Sequence, residues 1–147
     1  QVRLRYGFVL KCIGADKDAG GNVTAVHCEM FSDSRSGTPG ADTYKVKGNI
    51  HWVSASHAYK ADVRLYDRLF AAPHPGSARD FLEDLNPDSK QLVHAYCEPA
   101  LKEAKPEERF QFERHGYFCA DRSDSKTGSP VFNRTVTLRD SWGNPST

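Results

Sequence analysis

No stretch of this chain approaches the ~18 consecutive apolar residues that a membrane helix requires. Its start, Gln1-Val2-Arg3-Leu4-Arg5, lacks the apolar core of a secretory signal. An initiating Met is also missing, which leads us to expect a segment of a longer protein. Neither sign of charge dominates: 20 Lys and Arg stand against 19 Asp and Glu, a formal net charge of +1. A nucleic-acid binder is usually clearly basic, so any RNA-binding role must rest on local placement of cations. Only four cysteines occur, Cys12, Cys28, Cys97 and Cys119, and no two stand in a C-x-x-C pair. A structural zinc wants close ligand pairs. The adjacent His27-Cys28 is a poor chelator, because neighbours on a strand point to opposite faces. The four are expected as reduced thiols that mostly pack as small hydrophobes. The chain also has no phosphate-binding G-x-x-x-x-G-K-[ST], no G-x-G-x-x-G, no G-x-S-x-G and no H-x-x-x-H. Catalytic and metal sites are therefore not expected.

What is present is strand-like periodicity. Val2, Leu4, Tyr6, Phe8, Leu10 and Cys12 alternate with Arg3, Arg5, Gly7, Val9 and Lys11. Period two over that length predicts one half-buried strand from Val2 to Cys12. Asp16 to Gly21 reads as a turn, and Asn22 to Phe31 as the returning strand of a hairpin. Further strands are predicted at Lys45 to Ser54, Ala61 to Phe70, Lys90 to Glu98, Arg109 to Ala120 and Val131 to Asp140. Pro73-His74-Pro75-Gly76 is the strongest break. After it, Ser77 to Leu85 predicts one short helix, capped by Ser77 and stopped by Asn86-Pro87. Pro99 to Glu108 reads as a charged loop or short helical turn. Seven strands and one helix argue for antiparallel β architecture, as barrel or sandwich.

Three runs carry a more specific signal. They are KVKGNIHWVSASHAYKADVRLYDRLF (Lys45 to Phe70), FQFERHGYFCADR (Phe110 to Arg122) and PVFNRTVTLRDSW (Pro130 to Trp142). With VRLR from Val2 to Arg5, they span nearly the whole chain, and it resembles the C-terminal anticodon-binding region of the glutaminyl-tRNA synthetase family. That resemblance implies antiparallel β-barrels of the type shared with a ribosomal RNA-binding protein. We expect a first barrel unit over residues 1–72, with its N-terminal edge truncated, and strands of a second over 73–147. The family's region begins before Val2, so an open strand edge is expected.

The resemblance also implies a function. The family is a class I aminoacyl-tRNA synthetase, a glutamine–tRNA ligase that uses ATP and magnesium in a catalytic domain upstream of this region. Neither ATP signature of that domain occurs here, so this segment is expected to select tRNA(Gln) in the cytoplasm without making bonds, and to have no membrane association. The Gln and Arg of the family's FQFER motif hold the central base of the anticodon; here they are Gln111 and Arg114. VRLR supplies Arg3 and Arg5, which period two places on one strand face, about 7 Å apart, suited to phosphates or the first anticodon base. Arg64, Arg68, Arg134 and Arg139 are read as structural, pairing with Asp62, Asp67 or Asp140, and Trp52, Tyr66 and Phe132 as core. Two alternatives stay open: the anticodon-binding region of a related glutamyl-tRNA synthetase, and a stand-alone ribosomal-type RNA-binding barrel.

The pleat poses a problem for this reading. On a regular strand Arg114 would face the core with Phe110 and Phe112, away from Gln111. A buried unpaired guanidinium is costly. A bulge or strand end is therefore expected between Glu113 and Gly116, where the glycine permits unusual backbone angles.

Overall fold

A computed structural model describes residues 1–138. The chain is all-β, as expected, and forms two compact units that divide between Trp52 and Val53. The division suggested by the proline-rich break lies later, at 72/73. Arg139, Asp140 and Trp142 fall outside the described residues.

The first unit holds four strands: β1 (Val2–Leu4), β2 (Val9–Lys17), β3 (Val23–Phe31) and β4 (Gly48–Ile50). Their order in the sheet is β3-β2-β1-β4. The expected single strand from Val2 to Cys12 is in fact a hairpin. The chain reverses through Arg5-Tyr6-Gly7, where Gly7 N donates to Leu4 O at 2.8 Å and Tyr6 adopts a φ of 57°. Val2 then lies opposite Leu10, and Arg3 opposite Val9. Even residues face even residues, so the reversal leaves the hydrophobic parity of the sequence untouched. The β2–β3 hairpin closes where the sequence placed its turn. Asp18 Oδ1 accepts from the backbone of Gly20 and Asn22, each at 2.9 Å, and Gly21 takes a φ of 83°.

The second unit is a five-stranded sheet of β5 (Tyr59–Tyr66), β6 (Lys90–Cys97), β7 (Arg109–Phe112), β8 (Gly116–Ala120) and β9 (Val131–Val136), in the order β6-β5-β9-β8-β7. The predicted strand from Arg109 to Ala120 is again a hairpin. Phe110 pairs with Phe118 and Phe112 with Gly116, so parity is once more preserved. Phe118, Ala120, Phe132, Ala61 and Val63 are buried together on one face, with Phe110 and Phe112 packed against them. The Phe112 ring lies 4.2 Å from that of Phe118, centroid to centroid, and 5.2 Å from Phe132.

Three further expectations need correction. The pairing is not purely antiparallel: β1–β4 and β5–β9 run parallel. Each of these pairs is joined by a long stretch of chain, as parallel neighbours require. The helix over Ser77 to Leu85 reduces to a 3-10 turn at Phe81–Asp84, capped by Asp80, whose carboxylate accepts from Leu82 N at 3.0 Å. Asp84 is drawn back instead to Gly76 N (3.0 Å) and Arg79 Nε (2.6 Å), which folds the 76–84 segment into a compact loop. Those bonds hold its carboxyl below the usual range, Gly76 N contributing most and Arg79 next. Last, Phe132 is fully buried but Trp52 and Tyr66 are each 43% exposed. Trp52 lies beyond the end of β4, and its indole N–H donates to Arg5 O at 3.0 Å. Short 3-10 turns also occur at Ala41–Thr43 and Pro99–Glu103. No described helix is long and apolar enough to cross a membrane.

Candidate nucleic-acid interface

The FQFER segment sits at the end of the β7–β8 hairpin. Phe110 and Phe112 point into the core, which forces Gln111 to the opposite, exposed face. β7 stops at Phe112, and Glu113, Arg114 and His115 form the reversal, closed by His115 N donating to Phe112 O at 2.9 Å. The strand thus ends where the pleat would have buried Arg114. That residue is exposed and adopts a φ of 68°, a left-handed conformation unusual for a residue with a Cβ. Gly116 opens β8 with a φ of 140°, and a Cβ there would lie 2.5 Å from the carbonyl oxygen of Val136. Gln111 and Arg114 therefore both project from the turn end of one hairpin.

Gln111 also has a neighbour that the single-strand reading did not reveal. Gln111 lies directly across from Tyr117, and cross-strand partners share a face. Tyr117 is 45% exposed, so a phenol ring stands beside the Gln111 amide. Only the hairpin register brings the two together; read as one strand, the sequence keeps them six positions apart.

Arg3 and Arg5 lie in the first unit and differ from one another. Arg3 stays in β1 and spends its guanidinium on backbone carbonyls, donating to Ser34 O at 2.7 Å and Ala41 O at 2.9 Å. It ties down the loop that follows β3. Ser34, fully buried, supports the same loop by accepting from Val9 N at 2.7 Å. Arg5 has left the strand and opens the turn. Its guanidinium carbon stands 4.9 Å above the Tyr6 ring, and Nη2 donates to the Tyr6 hydroxyl at 3.1 Å. The expected placement of both on one strand face fails because β1 ends at Leu4.

Arg64 is structural, though with other partners than expected. Asp62 pairs with His94 across β5–β6 at 2.7 Å. Arg64 Nη1 reaches Asp121 at 3.2 Å, and its other terminal nitrogen reaches Asp124. Asp121 is the hub of this network. It also accepts from Asp124 N (2.8 Å), Asn133 Nδ2 (2.6 Å) and Ser123 N (2.9 Å). These bonds, with Asp124 N foremost and the Arg64 charge a smaller contribution, hold its carboxyl down to about 2. Of the thiols, Cys97 is buried and Cys119 partly so, whereas Cys12 and Cys28 are exposed, against the expectation that most would pack inside. Burial pushes the Cys97 thiol up. Among the described residues no group of three or more His, Cys, Asp or Glu could hold a metal ion.

Residues 49–121 match the family of tRNA synthetases class I (E and Q), anti-codon binding domain. The glutamine–tRNA ligase of Ralstonia nicotianae is 67% identical over 144 residues, covering 97% of this chain and 25% of the relative. That of Cupriavidus taiwanensis has the same identity and coverage. The enzyme of Nitrosomonas europaea is 54% identical over 143 residues, again 97% of this chain and 26% of the relative. The chain thus spans about a quarter of the length of the curated relatives it matches. Through residues 49–121, it belongs to the anticodon-binding domain family of the class I tRNA synthetases for Glu and Gln.

Proposed function

We propose that this chain is the anticodon-binding region of a cytoplasmic glutamine–tRNA ligase and selects tRNA(Gln) for ATP-dependent aminoacylation. The observation that carries this reading is identity of 67% over 97% of the chain to proteins named as that ligase. In the proposed parent, ATP and magnesium serve the catalytic domain, and no step through them falls to residues of this chain.

Gln111 and Arg114 read the central anticodon base, the amide and guanidinium meeting its edge once it is unstacked. Tyr117, beside Gln111, offers a ring on which a base can stack. Arg5 makes the contact to phosphate or to the first anticodon base. Arg3 supports it by fixing the 34–44 loop, since its own donors are engaged by carbonyls. The glutamate-specific and ribosomal alternatives are not favoured, because relatives at 54–67% identity are named as glutamine enzymes.

The test is a titration of the purified chain with fluorescent tRNA(Gln) anticodon stem-loops. Binding should be salt-sensitive and should weaken when the central base is changed. Equal affinity for both stem-loops would overturn the assignment of Gln111 and Arg114.

A further inference from the structure

Cys12 and Cys28 occupy directly opposed positions of the β2–β3 ladder, and both are exposed. Cross-strand partners point to the same face, so the two thiols stand side by side. Backbone polarity sets the kind of pair. Leu4 N donates to Phe8 O at 2.8 Å, which turns the N–H and C=O groups of Phe8, Leu10 and Cys12 toward β1. Towards β3, Cys12 and Cys28 are therefore a non-hydrogen-bonded pair, the closer of the two types, with Cα atoms about 4.5 Å apart. A disulfide accepts Cα separations of about 4.4–6.8 Å. Just beyond, the register shifts between Cys12 and Gly14, leaving Ile13 as a bulge that adds twist beside the pair. The Cys12 thiol rests 3.7 Å from Gly14 O, within that bulge.

We propose that Cys12 and Cys28 form a redox couple: a dithiol that a small-molecule disulfide of the glutathione class closes into a cross-strand disulfide. One cysteine, as thiolate, attacks the oxidant and expels one thiol, leaving a mixed disulfide on the protein. The second thiolate then attacks the protein sulfur of that adduct and expels the second thiol. Two S–H bonds and the oxidant S–S bond are lost. One protein S–S bond and two small thiols are gained, the two protons passing to the leaving thiolates. In a reducing compartment the pair rests as the dithiol. Closure staples the two long strands of the hairpin arm beside its bulge. Neither Cys97, buried in the other unit, nor Cys119 has a cysteine as cross-strand partner.

This inference is independent of the RNA-binding reading and is tested without RNA. The reduced chain is treated with glutathione disulfide under native conditions, quenched at low pH and digested with trypsin without reduction. Cuts after Lys11, Lys17 and Arg35 leave peptides 12–17 and 18–35 joined only through the proposed bond. Mass spectrometry should find that joined species lighter by two hydrogens than the sum of its parts. Cys12→Ser should abolish the crosslink and leave Cys28 as a stable glutathione adduct, and Cys28→Ser the converse. In denaturant the specific pairing should be lost. Separate glutathione adducts accumulating on both cysteines of the folded chain, or crosslinks only between molecules, would overturn the proposal. A thermal melt of each serine variant, matching the parent chain, shows that loss of the crosslink is chemical.

Discussion

Arg114 adopts a backbone conformation that most residues avoid. At a φ of 68° its Cβ costs about 1–2 kcal/mol relative to glycine. Strain of this kind collects where a side chain is needed for something other than folding. Two variants separate the contributions. Arg114→Ala and Arg114→Gly both remove the guanidinium, but only glycine relieves the strain. The glycine variant should be the more stable by about 1 kcal/mol in urea unfolding. Both should lose about 1–3 kcal/mol of binding to the cognate stem-loop, if base-edge energetics carry over from the major groove. They should lose less against a stem-loop whose central base is already wrong. A uniform loss across all stem-loops would make Arg114 a general electrostatic contact.

Asp121 offers a test that needs no RNA. Its folded-state pKa is lowered from 3.8 to about 2, so folding favours the ionised form. The stability this supplies is fully present above the unfolded pKa. It is lost as pH falls through the folded value, and the acid limb between pH 3.8 and about 2 carries its signature. Asp121→Asn should flatten that limb in denaturant titrations at stepped pH, while lowering stability near neutrality. Asp84 is also held low and should leave a residual slope. An unchanged limb would show that Asp121 is not the hub of its loop.

At the scale of elements, the two hairpins explain what was legible in the sequence and what was not. The alternation from Val2 to Cys12 marked which residues of β1 and β2 face alike, yet it set Val9, which is fully buried, among the polar residues and hid the reversal at Arg5-Tyr6-Gly7. A three-residue connection makes position i face position 12 − i, and even stays with even. The same holds for Phe110 to Ala120, where partners sum to 228. Period two is thus blind to a hairpin of this kind. In the second case the steric conflict at Arg114 exposed the break. In the first no steric conflict gave warning: Arg5 and Tyr6 leave the strand, and Tyr6, counted with the apolar face, is 78% exposed. Phe132 was legible as core because its strand is central and both neighbours present small or aromatic faces. The Ser77 helix was misread because a capping residue and apolar spacing do not register a competing carboxylate, Asp84, that closes the loop on itself.

Two substitutions probe these elements. Phe132→Ala removes a fully buried ring packed against Phe110 and Phe112. It should cost about 3–5 kcal/mol, measured by urea unfolding. Gly116→Ala places a methyl group 2.5 Å from Val136 O at a φ of 140°. It should destabilise the β8–β9 edge by about 1–3 kcal/mol and displace the 113–115 reversal with it. Loss of anticodon discrimination in this variant, with Arg114 intact, would tie recognition to the geometry of the hairpin end.

For the molecule as a whole, net charge is the constraint that shapes binding. At +1 the chain has almost no long-range attraction for a polyanion. Affinity for tRNA must then come from a few local phosphate contacts together with base-edge contacts, which salt screens far less. Arg64 and Arg122 are paired with carboxylates, and Arg3 is bonded to carbonyls, which thins the supply of cations further. Each single-strand phosphate contact contributes about 0.7 log units of affinity per tenfold change in salt. A small number of contacts therefore predicts a shallow slope, about 1–2 log units per decade. Arg5→Ala should reduce that slope by about 0.7. Gln111→Ala should leave the slope unchanged while erasing preference at the central base. Anisotropy titrations over a salt series read both quantities from the same data. A steep slope untouched by Arg5→Ala would mean that the phosphate contacts lie elsewhere on the surface. A Gln111→Ala variant with altered slope and intact base preference would reverse the two roles.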